Sequence, residues 1–196
     1  YVSLGLALGK QSEFQEAYAC FRRALEIMPD LHVVHHHWGK LLSNHKQYAD
    51  AHEHLGLYYQ VYPQDVENLI HYALSKFHMQ QFETGYNLLQ TAHKLSPDNV
   101  HILFLLGTHH LVNQDPTQAI YYLKEALEHD PKFIDAAINL SLAYSEQNEM
   151  QEALRVLRPF LRENPDSPEI NFFYATLVYR TGDWQDAKIR YEKALS

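Results

Sequence analysis

Residues 119–131 read AIYYLKEALEHDP, and this stretch decides how the chain folds. Its apolar residues recur at intervals of three and four from Ala119 to Leu127, while charged residues such as Lys124 fall on the other side. That spacing predicts an amphipathic α-helix. The helix should end before Pro131, because proline has no backbone N–H with which to continue it.

The same proline belongs to a series that recurs at one constant interval along the whole chain. The series consists of Pro29, Pro63, Pro97, Pro131 and Pro165. A fixed period of roughly 20–50 residues is typical of repeat proteins, in which each repeat is one small supersecondary unit.

Two columns of mostly small residues keep the period of the prolines. The first column is Gly5, Gly39, Ala73, Gly107, Ser141 and Ala175, and the second is Ala17, Ala51, Gly85, Ala119, Ala153 and Ala187. Two helices need small side chains where their backbones approach closely. Each repeat is therefore predicted to be a hairpin of two helices. No stretch alternates with period two for long enough to predict a sheet.

The first repeat resembles the tetratricopeptide repeat, whose pattern is W-x2-L-G-x2-Y, then A-x3-F, then P. The residues that carry the resemblance are Tyr1, Leu4, Gly5, Leu8, Ala17, Phe21, Ala24 and Pro29. Later repeats match unevenly, since Lys76 stands at an aromatic position and Phe160 at a small one.

The resemblance implies an all-α, right-handed α-solenoid of six tetratricopeptide-like helix hairpins, with the first and last units truncated or uncapped. We expect one solenoid domain over residues 1–196, as a fragment of a longer chain. Its units should span approximately 1–31, 32–65, 66–99, 100–133, 134–167 and 168–196. The aspartates that follow three of the prolines, Asp30, Asp98 and Asp166, are expected to cap the next helix.

Composition and charge narrow the classes of function. Lys and Arg number 16 against 24 Asp and Glu, so the formal charge of −8 disfavours nucleic acid and anionic lipid as partners. No apolar run approaches the length of a membrane-spanning helix, so no membrane insertion is expected. A single cysteine, Cys20, cannot form an internal disulfide, so it does not indicate whether the chain works in an oxidising or a reducing compartment. The chain opens with no secretory signal, which favours the cytoplasm without deciding the compartment.

Enzyme motifs are absent, and we expect neither catalysis nor a cofactor. The unusual feature is histidine, with fourteen residues of which ten lie between His32 and His93. His32 and His36 have the spacing of a helical zinc site, but no carboxylate accompanies them between His32 and Asn44. We therefore interpret the histidines as surface and groove imidazoles, with no metal.

Full protonation of these histidines would change the formal charge from −8 to +6. Because the reference pKa of histidine is about 6.5, mildly acidic conditions can produce this change of formal charge. The sequence therefore suggests that affinity for an acidic partner rises below about pH 6.

In the family that the chain resembles, the first helices of successive repeats line a concave groove that holds a peptide or a helix. The resemblance then implies that a protein or peptide segment binds along these positions. The candidate residues are His36, His37, Lys40, Asn44, His71, Phe77, His78, Phe104, Leu105, Thr108, Ile138, Asn139, Leu142, Phe172, Phe173 and Tyr179. The candidate residues early in the chain are mostly polar, and those later in the chain are mostly apolar. This distribution suits a partner with a polar or acidic end and a hydrophobic end.

The sequence thus predicts a scaffold or adaptor that binds a partner segment in its groove. An alternative is the regulatory or substrate-docking arm of a larger enzyme, such as a glycosyltransferase. The repeat arm of the O-linked N-acetylglucosamine transferases carries a series of asparagines at the sixth position of its first helices. Only Asn139 matches that series here. A third possibility is self-association, because uncapped end repeats expose apolar faces that can stack end to end.

Overall fold

Twelve α-helices joined by short turns form the part of the chain described by the structure, a computed structural model covering residues 1–195. The helices are α1 (Val2–Lys10), α2 (Phe14–Ile27), α3 (His32–Asn44), α4 (Tyr48–Val61), α5 (Val66–His78), α6 (Phe82–Leu95), α7 (Val100–Val112), α8 (Pro116–His129), α9 (Ile134–Glu146), α10 (Met150–Glu163), α11 (Pro168–Thr181) and α12 (Trp184–Leu195). No strand occurs within residues 1–195, which confirms the all-α prediction. None of these helices is long and apolar enough to cross a membrane.

The helices divide into two compact units, residues 1–97 and residues from 98 onward. Unit 1 contains α1 to α6 and unit 2 contains α7 to α12. In each unit, consecutive helices pair into three hairpins, as the two columns of small residues predict. The expectation that all six hairpins form one continuous domain stays a prediction.

Three of the hairpins close where a glycine of the first helix, Gly5, Gly39 or Gly107, meets a large side chain of the second helix. A Cβ added to Gly107 would lie 2.5 Å from Cγ of Leu123, and one added to Gly39 would lie 2.7 Å from Cγ of Leu55. Both leucines are fully buried. Separations this short are below van der Waals contact, so a side chain at either glycine would push the two helices apart.

A residue with a left-handed backbone lies in the turn of every hairpin. The residues with positive φ are Ser12, Lys46, Gln80, Gln114, Asn148 and Gly182. They recur with the same period as the prolines, and the five that are not glycine have φ between 59° and 64°. The sequence analysis missed these positions, although Gly182 carries the residue type that favours this conformation. A strongly bent turn keeps each loop short.

The predicted aspartate caps are wrong. The N-cap residues of α3, α7 and α11 are Leu31, Asn99 and Ser167, each one position later than predicted. Asn99 accepts hydrogen bonds from two backbone N–H groups of α7, and Ser167 accepts one from α11. The aspartates occupy the turn after the proline, whereas a cap must directly precede the first helical residue.

Adjacent first helices contact each other within each unit. The contacting pairs are α1 with α3, α3 with α5, α7 with α9 and α9 with α11. Consecutive second helices have no comparable contact in residues 1–195, and each packs instead on the first helices of its own unit. The first helices therefore lie on the inner side of each unit, which we call its first-helix face.

Replacing Gly107 by Val should destabilise unit 2 by about 1–3 kcal/mol, because the new side chain overlaps Leu123. Urea denaturation followed by circular dichroism measures the change in the free energy of unfolding. Gln118→Val on the exposed side of α8 is the control and should cost far less. Equal losses in the two variants would contradict the close approach of α7 and α8.

Candidate functional site

A cluster of polar side chains connects α3 and α5 on the first-helix face of unit 1. The ammonium group of Lys40 donates a hydrogen bond to Glu67, whose other carboxylate oxygen lies 3.3 Å from Nε2 of His36. Nδ1 of His71 lies 3.1 Å from the hydroxyl of Ser43. We call these five residues the unit-1 polar cluster. It unites His36, Lys40 and His71, which the sequence predicted together.

Glu67 is the member that the sequence analysis missed. It lies four residues before His71, so both side chains fall on the same side of α5. Partial burial acts to raise its pKa, but the hydrogen bonds and charges of Lys40 and His36 together outweigh burial and hold the pKa below the usual value. Glu67 is therefore ionised at neutral pH and offsets the charge of Lys40.

Burial lowers the pKa of two histidines of this face. It lowers the pKa of His71 to about 4, and it lowers the pKa of His37, with the neighbouring His36 and Lys40 adding to the effect. The imidazole of His71 is thus uncharged near pH 6. The hypothesis that groove histidines become positive below about pH 6 and attract an acidic partner is wrong for His71.

Other predicted residues of unit 1 lie apart from the cluster. Phe77 packs into its own hairpin, since a Cβ on Gly85 would lie 2.7 Å from Cε1 of Phe77, and so it does not face the groove as predicted. His78 stacks on Tyr48 with ring centroids 3.6 Å apart. Asn44 is exposed at the end of α3.

Unit 2 presents a row of partly exposed side chains on its first-helix face. The amide of Asn139 on α9 donates a hydrogen bond of 2.9 Å to the hydroxyl of Thr108 on α7. The Thr108 hydroxyl itself donates to the carbonyl of Phe104, one turn earlier. Partly exposed apolar side chains accompany the pair. The unit-2 row consists of Leu105, Thr108, Asn139, Leu142 and Phe173.

The structure removes Ile138 from the predicted binding residues. Ile138 is 4% exposed and belongs to the apolar core of unit 2, so it is not accessible to a partner. Phe104 packs on Phe133 with ring centroids 4.9 Å apart. Phe172 and Tyr179 are exposed, and Phe172 lies beside Tyr191 of α12. Whether a side chain reaches the face thus depends on which neighbouring helix covers it.

Much of the histidine excess is used in aromatic packing. His54 stacks on Trp38 with ring centroids 4.2 Å apart, and its Nδ1 lies 2.9 Å from Nδ1 of His35. Burial lowers the pKa of His54 to about 4. Within residues 1–195, no group of three or more His, Cys, Asp or Glu side chains is arranged to hold a metal ion. The flat imidazole rings act here as packing surfaces.

Comparisons with known proteins agree with this architecture. Tetratricopeptide repeat family models match residues 1–31, 73–132, 110–159 and 138–195. A tetratricopeptide repeat protein from Parabacteroides merdae superposes with a TM-score of 0.85 at 15% identity, over 99% of this chain and 77% of that one. YrrB, described as a TPR protein with an unusual peptide-binding site, has a TM-score of 0.69 at 15% identity, over 89% of this chain and 90% of that one.

Curated relatives match shorter parts of the chain. BBSome complex member BBS4 from Bos taurus is 27% identical over 117 residues, which is 60% of this chain and 22% of that protein. Interferon-induced protein with tetratricopeptide repeats 2 from Mus musculus is 30% identical over 94 residues, which is 47% of this chain and 20% of that protein. The matched segments span about a fifth of the length of these relatives.

Helix hairpins that pack in succession within each unit define a helical-repeat protein. The chain belongs to the tetratricopeptide repeat family. Proteins of this family bind peptides or other proteins, and scaffolds of this fold are typically not catalytic.

The low pKa of His71 makes the stability of the fold depend on pH. Its pKa is about 4 in the folded chain and about 6.5 when unfolded, so the unfolded chain binds the proton first as the pH falls. We expect the contribution of His71 to stability to be constant above about pH 6.5 and to be lost progressively toward pH 4. Thermal unfolding at pH 7.5 and pH 5 measures the loss.

A His71→Gln variant lacks this proton site, so its unfolding temperature should change less between the two pH values than that of the wild type. His101→Gln, at an exposed position of α7, should keep the wild-type dependence. An identical dependence in the wild type and the His71→Gln variant would show that burial of His71 does not govern the response.

Proposed function

We propose that the chain is a scaffold that holds an extended segment of a partner protein against the unit-2 row. The observation that carries this proposal is the hydrogen bond between Asn139 and Thr108 on an accessible face, with apolar side chains beside it. An extended segment presents backbone N–H and C=O groups as well as side chains. The unit-2 row has the Asn139 amide for the backbone groups and apolar side chains for the side chains of the segment.

The amide of Asn139 is suited to reading a peptide backbone. An asparagine side chain has two N–H donors and one carbonyl acceptor, and the bond to Thr108 uses one donor. That bond also fixes the orientation of the amide, so that less conformational entropy is lost when a ligand binds. The remaining donor and acceptor match the C=O and N–H groups of one residue in an extended chain. Such recognition is independent of the ligand's side chain.

Apolar neighbours of this amide supply contact area. Leu105 lies on α7, Leu142 on α9 and Phe173 on α11, so the row crosses all three first helices of unit 2. Leu142 and Phe173 pack against the core of the unit, which holds their positions, and both keep part of their surface accessible. We infer that apolar side chains of the partner bind here on both sides of the Asn139 amide.

The unit-1 polar cluster favours a second, different kind of contact. Its ion pair between Lys40 and Glu67 has side chains 36% and 52% exposed, and its His71 is neutral. A strongly acidic segment would have to compete with Glu67 for Lys40. We therefore infer that unit 1 binds uncharged polar groups, rather than the acidic end that the sequence suggested.

A peptide-display selection on the immobilised chain tests the proposal. Enriched synthetic peptides should bind the Asn139→Ala variant about 5- to 150-fold more weakly, because two hydrogen bonds of about 0.5–1.5 kcal/mol each are lost. Fluorescence anisotropy measures the dissociation constants. Gln118→Ala, on the exposed side of α8, is the control and should bind like the wild type.

Leu105→Ala and Leu142→Ala should also weaken binding if the ligand lies along the row. Peptides that bind all three variants as tightly as the wild type would place the site elsewhere. The alternative, a docking arm of a larger enzyme, stays a prediction, because the same face would serve it equally well.

A further inference from the structure

Unit 1 has a second concave surface, on the side of its second helices. The helices α2 and α4 both pack on α3, and a cleft of about 430 Å³ remains between them. Its volume lies in the range of pockets that hold ligands. The lining includes Tyr18 and Arg22 from α2, Trp38 from α3, and Asp50 and Glu53 from α4. We call this surface the unit-1 outer cleft.

A stack of aromatic rings forms part of the unit-1 outer cleft. The ring of Trp38 stacks with that of Tyr18 at 6.0 Å between centroids, and with that of His54 at 4.2 Å. All three side chains keep part of their surface accessible. Burial lowers the pKa of His54 to about 4, so this ring adds no positive charge at neutral pH. Uncharged aromatic rings of this kind attract cations, and a planar guanidinium stacks on them best.

A hydrogen bond links the two sides of the cleft. The hydroxyl of Tyr18 donates to Oε1 of Gln47, the N-cap residue of α4, over 2.9 Å. Because the hydroxyl has a single proton, its oxygen is then left as an acceptor for another donor. The cleft therefore offers a fixed acceptor at the edge of the aromatic stack.

Two carboxylates line the cleft beside the rings. Asp50 and Glu53 are exposed, and no ion pair within residues 1–97 uses either of them. Burial raises the pKa of Tyr18 and the negative charge of Asp50 adds to the rise, so this carboxylate lies near the ring. Among the lining residues only Arg22 carries a positive side chain. The cleft thus has an excess of negative charge.

Unit 2 has a cleft of about 460 Å³ at the same place in the repeat, three repeats later. Its lining has Ile120 at the position of Tyr18 and Arg155 at the position of Glu53. The repeat geometry therefore produces a cleft of this size in both units. The side chains that suit a cation are present only in the unit-1 outer cleft.

Side chains of unit 2 already satisfy the charges and the ring of that second cleft. Nη2 of Arg155 lies 2.6 Å from the carboxylate of Glu152, which stands at the position of Asp50. The ammonium group of Lys124 lies over the ring of Tyr144, 5.3 Å from its centroid. A cation of the chain itself thus occupies the aromatic surface there.

We propose that the unit-1 outer cleft binds an arginine side chain of a partner protein. The guanidinium stacks on the aromatic rings and donates hydrogen bonds to Asp50 and Glu53. Its planar group with five N–H donors can serve the rings and the carboxylates together, which a compact ammonium group does less well. The excess of negative charge favours a basic segment. This binding involves neither the unit-2 row nor the unit-1 polar cluster, so it is independent of the function proposed above.

Nuclear magnetic resonance of the whole ¹⁵N-labelled chain tests the proposal through its two indole N–H signals, from Trp38 and Trp184. The probe is acetyl-Gly-Arg-Gly-amide, titrated to about 20 mM because one side chain binds weakly. It should shift the Trp38 signal and leave that of Trp184, which is 70% exposed on α12, unchanged. Trp184→Phe assigns the two signals. A peptide with citrulline in place of arginine has a similar shape without the charge, and it should shift neither signal.

The double variant Asp50→Asn with Glu53→Gln should bind the arginine peptide about 2- to 30-fold more weakly, because two partly screened charge pairs are lost. The control is Glu149→Gln with Glu152→Gln, which makes the same change of net charge in the unit-2 cleft and should bind like the wild type. Asp50 and Glu152 both lie in the first turn of their helices, so the two double variants are matched in stability as well.

Arg22→Gln removes the cation that competes for the same carboxylates, so it should bind the peptide up to about fivefold more tightly. A Trp38 signal that stays unchanged throughout the titration would overturn the proposal. So would equal weakening in the two double variants, because that pattern indicates attraction to the net charge of the chain. Equal shifts with the arginine and citrulline peptides would overturn it too.

Discussion

The close approach of two helices at a residue with no side chain is the constraint on which the rest of the structure depends. At Gly107 the second helix comes so near that Leu123 fills the space of an absent Cβ. Burial of a whole leucine against a helix backbone contributes about 1.5–3 kcal/mol at one point of contact. The same contact recurs at Gly39 with Leu55 and at Gly5 with Phe21, so in these hairpins it fixes how the two helices close and which sides of them remain for other contacts.

Once the hairpins are closed, the chemistry of each face follows from the side chains that remain outside the core. In unit 1 these are largely polar groups that already pair with one another, so an ionised Glu67 neutralises Lys40 and the imidazole of His71 is uncharged at neutral pH. In unit 2 an amide and a hydroxyl are bound to each other among aliphatic side chains. One repeated backbone thus carries two surfaces of different character.

The constant repeat period was enough to predict the helix class, the hairpins and their small-residue contacts, because those depend on spacing along one chain. It was not enough to separate Phe104 from Ile138. Both occupy the same position of successive first helices, but Ile138 is buried whereas Phe104 keeps part of its surface exposed. Burial of this kind depends on contacts between repeats, which periodicity alone does not specify.

The protonation of the histidines was equally hard to predict from the sequence. Fourteen titratable rings suggested a change of charge in mild acid, but the structure buries His54 and His71 and stacks His54 on Trp38. Desolvation of these rings then opposes their protonation. The extent of the desolvation depends on how each side chain is packed. Glu67 was missed for a related reason, because the hydrogen bond that it accepts comes from Lys40 on another helix.

The left-handed residue in each hairpin turn restricts what substitutions the loops tolerate. Loops are usually the parts of a protein in which sequence varies most freely. Here a valine or isoleucine at Lys46, Gln80 or Gln114 would meet a steric penalty from its branched Cβ, whereas glycine or asparagine would fit. These turn positions therefore select against side chains that branch at Cβ, and mutational tolerance should be greatest on the outward sides of the second helices.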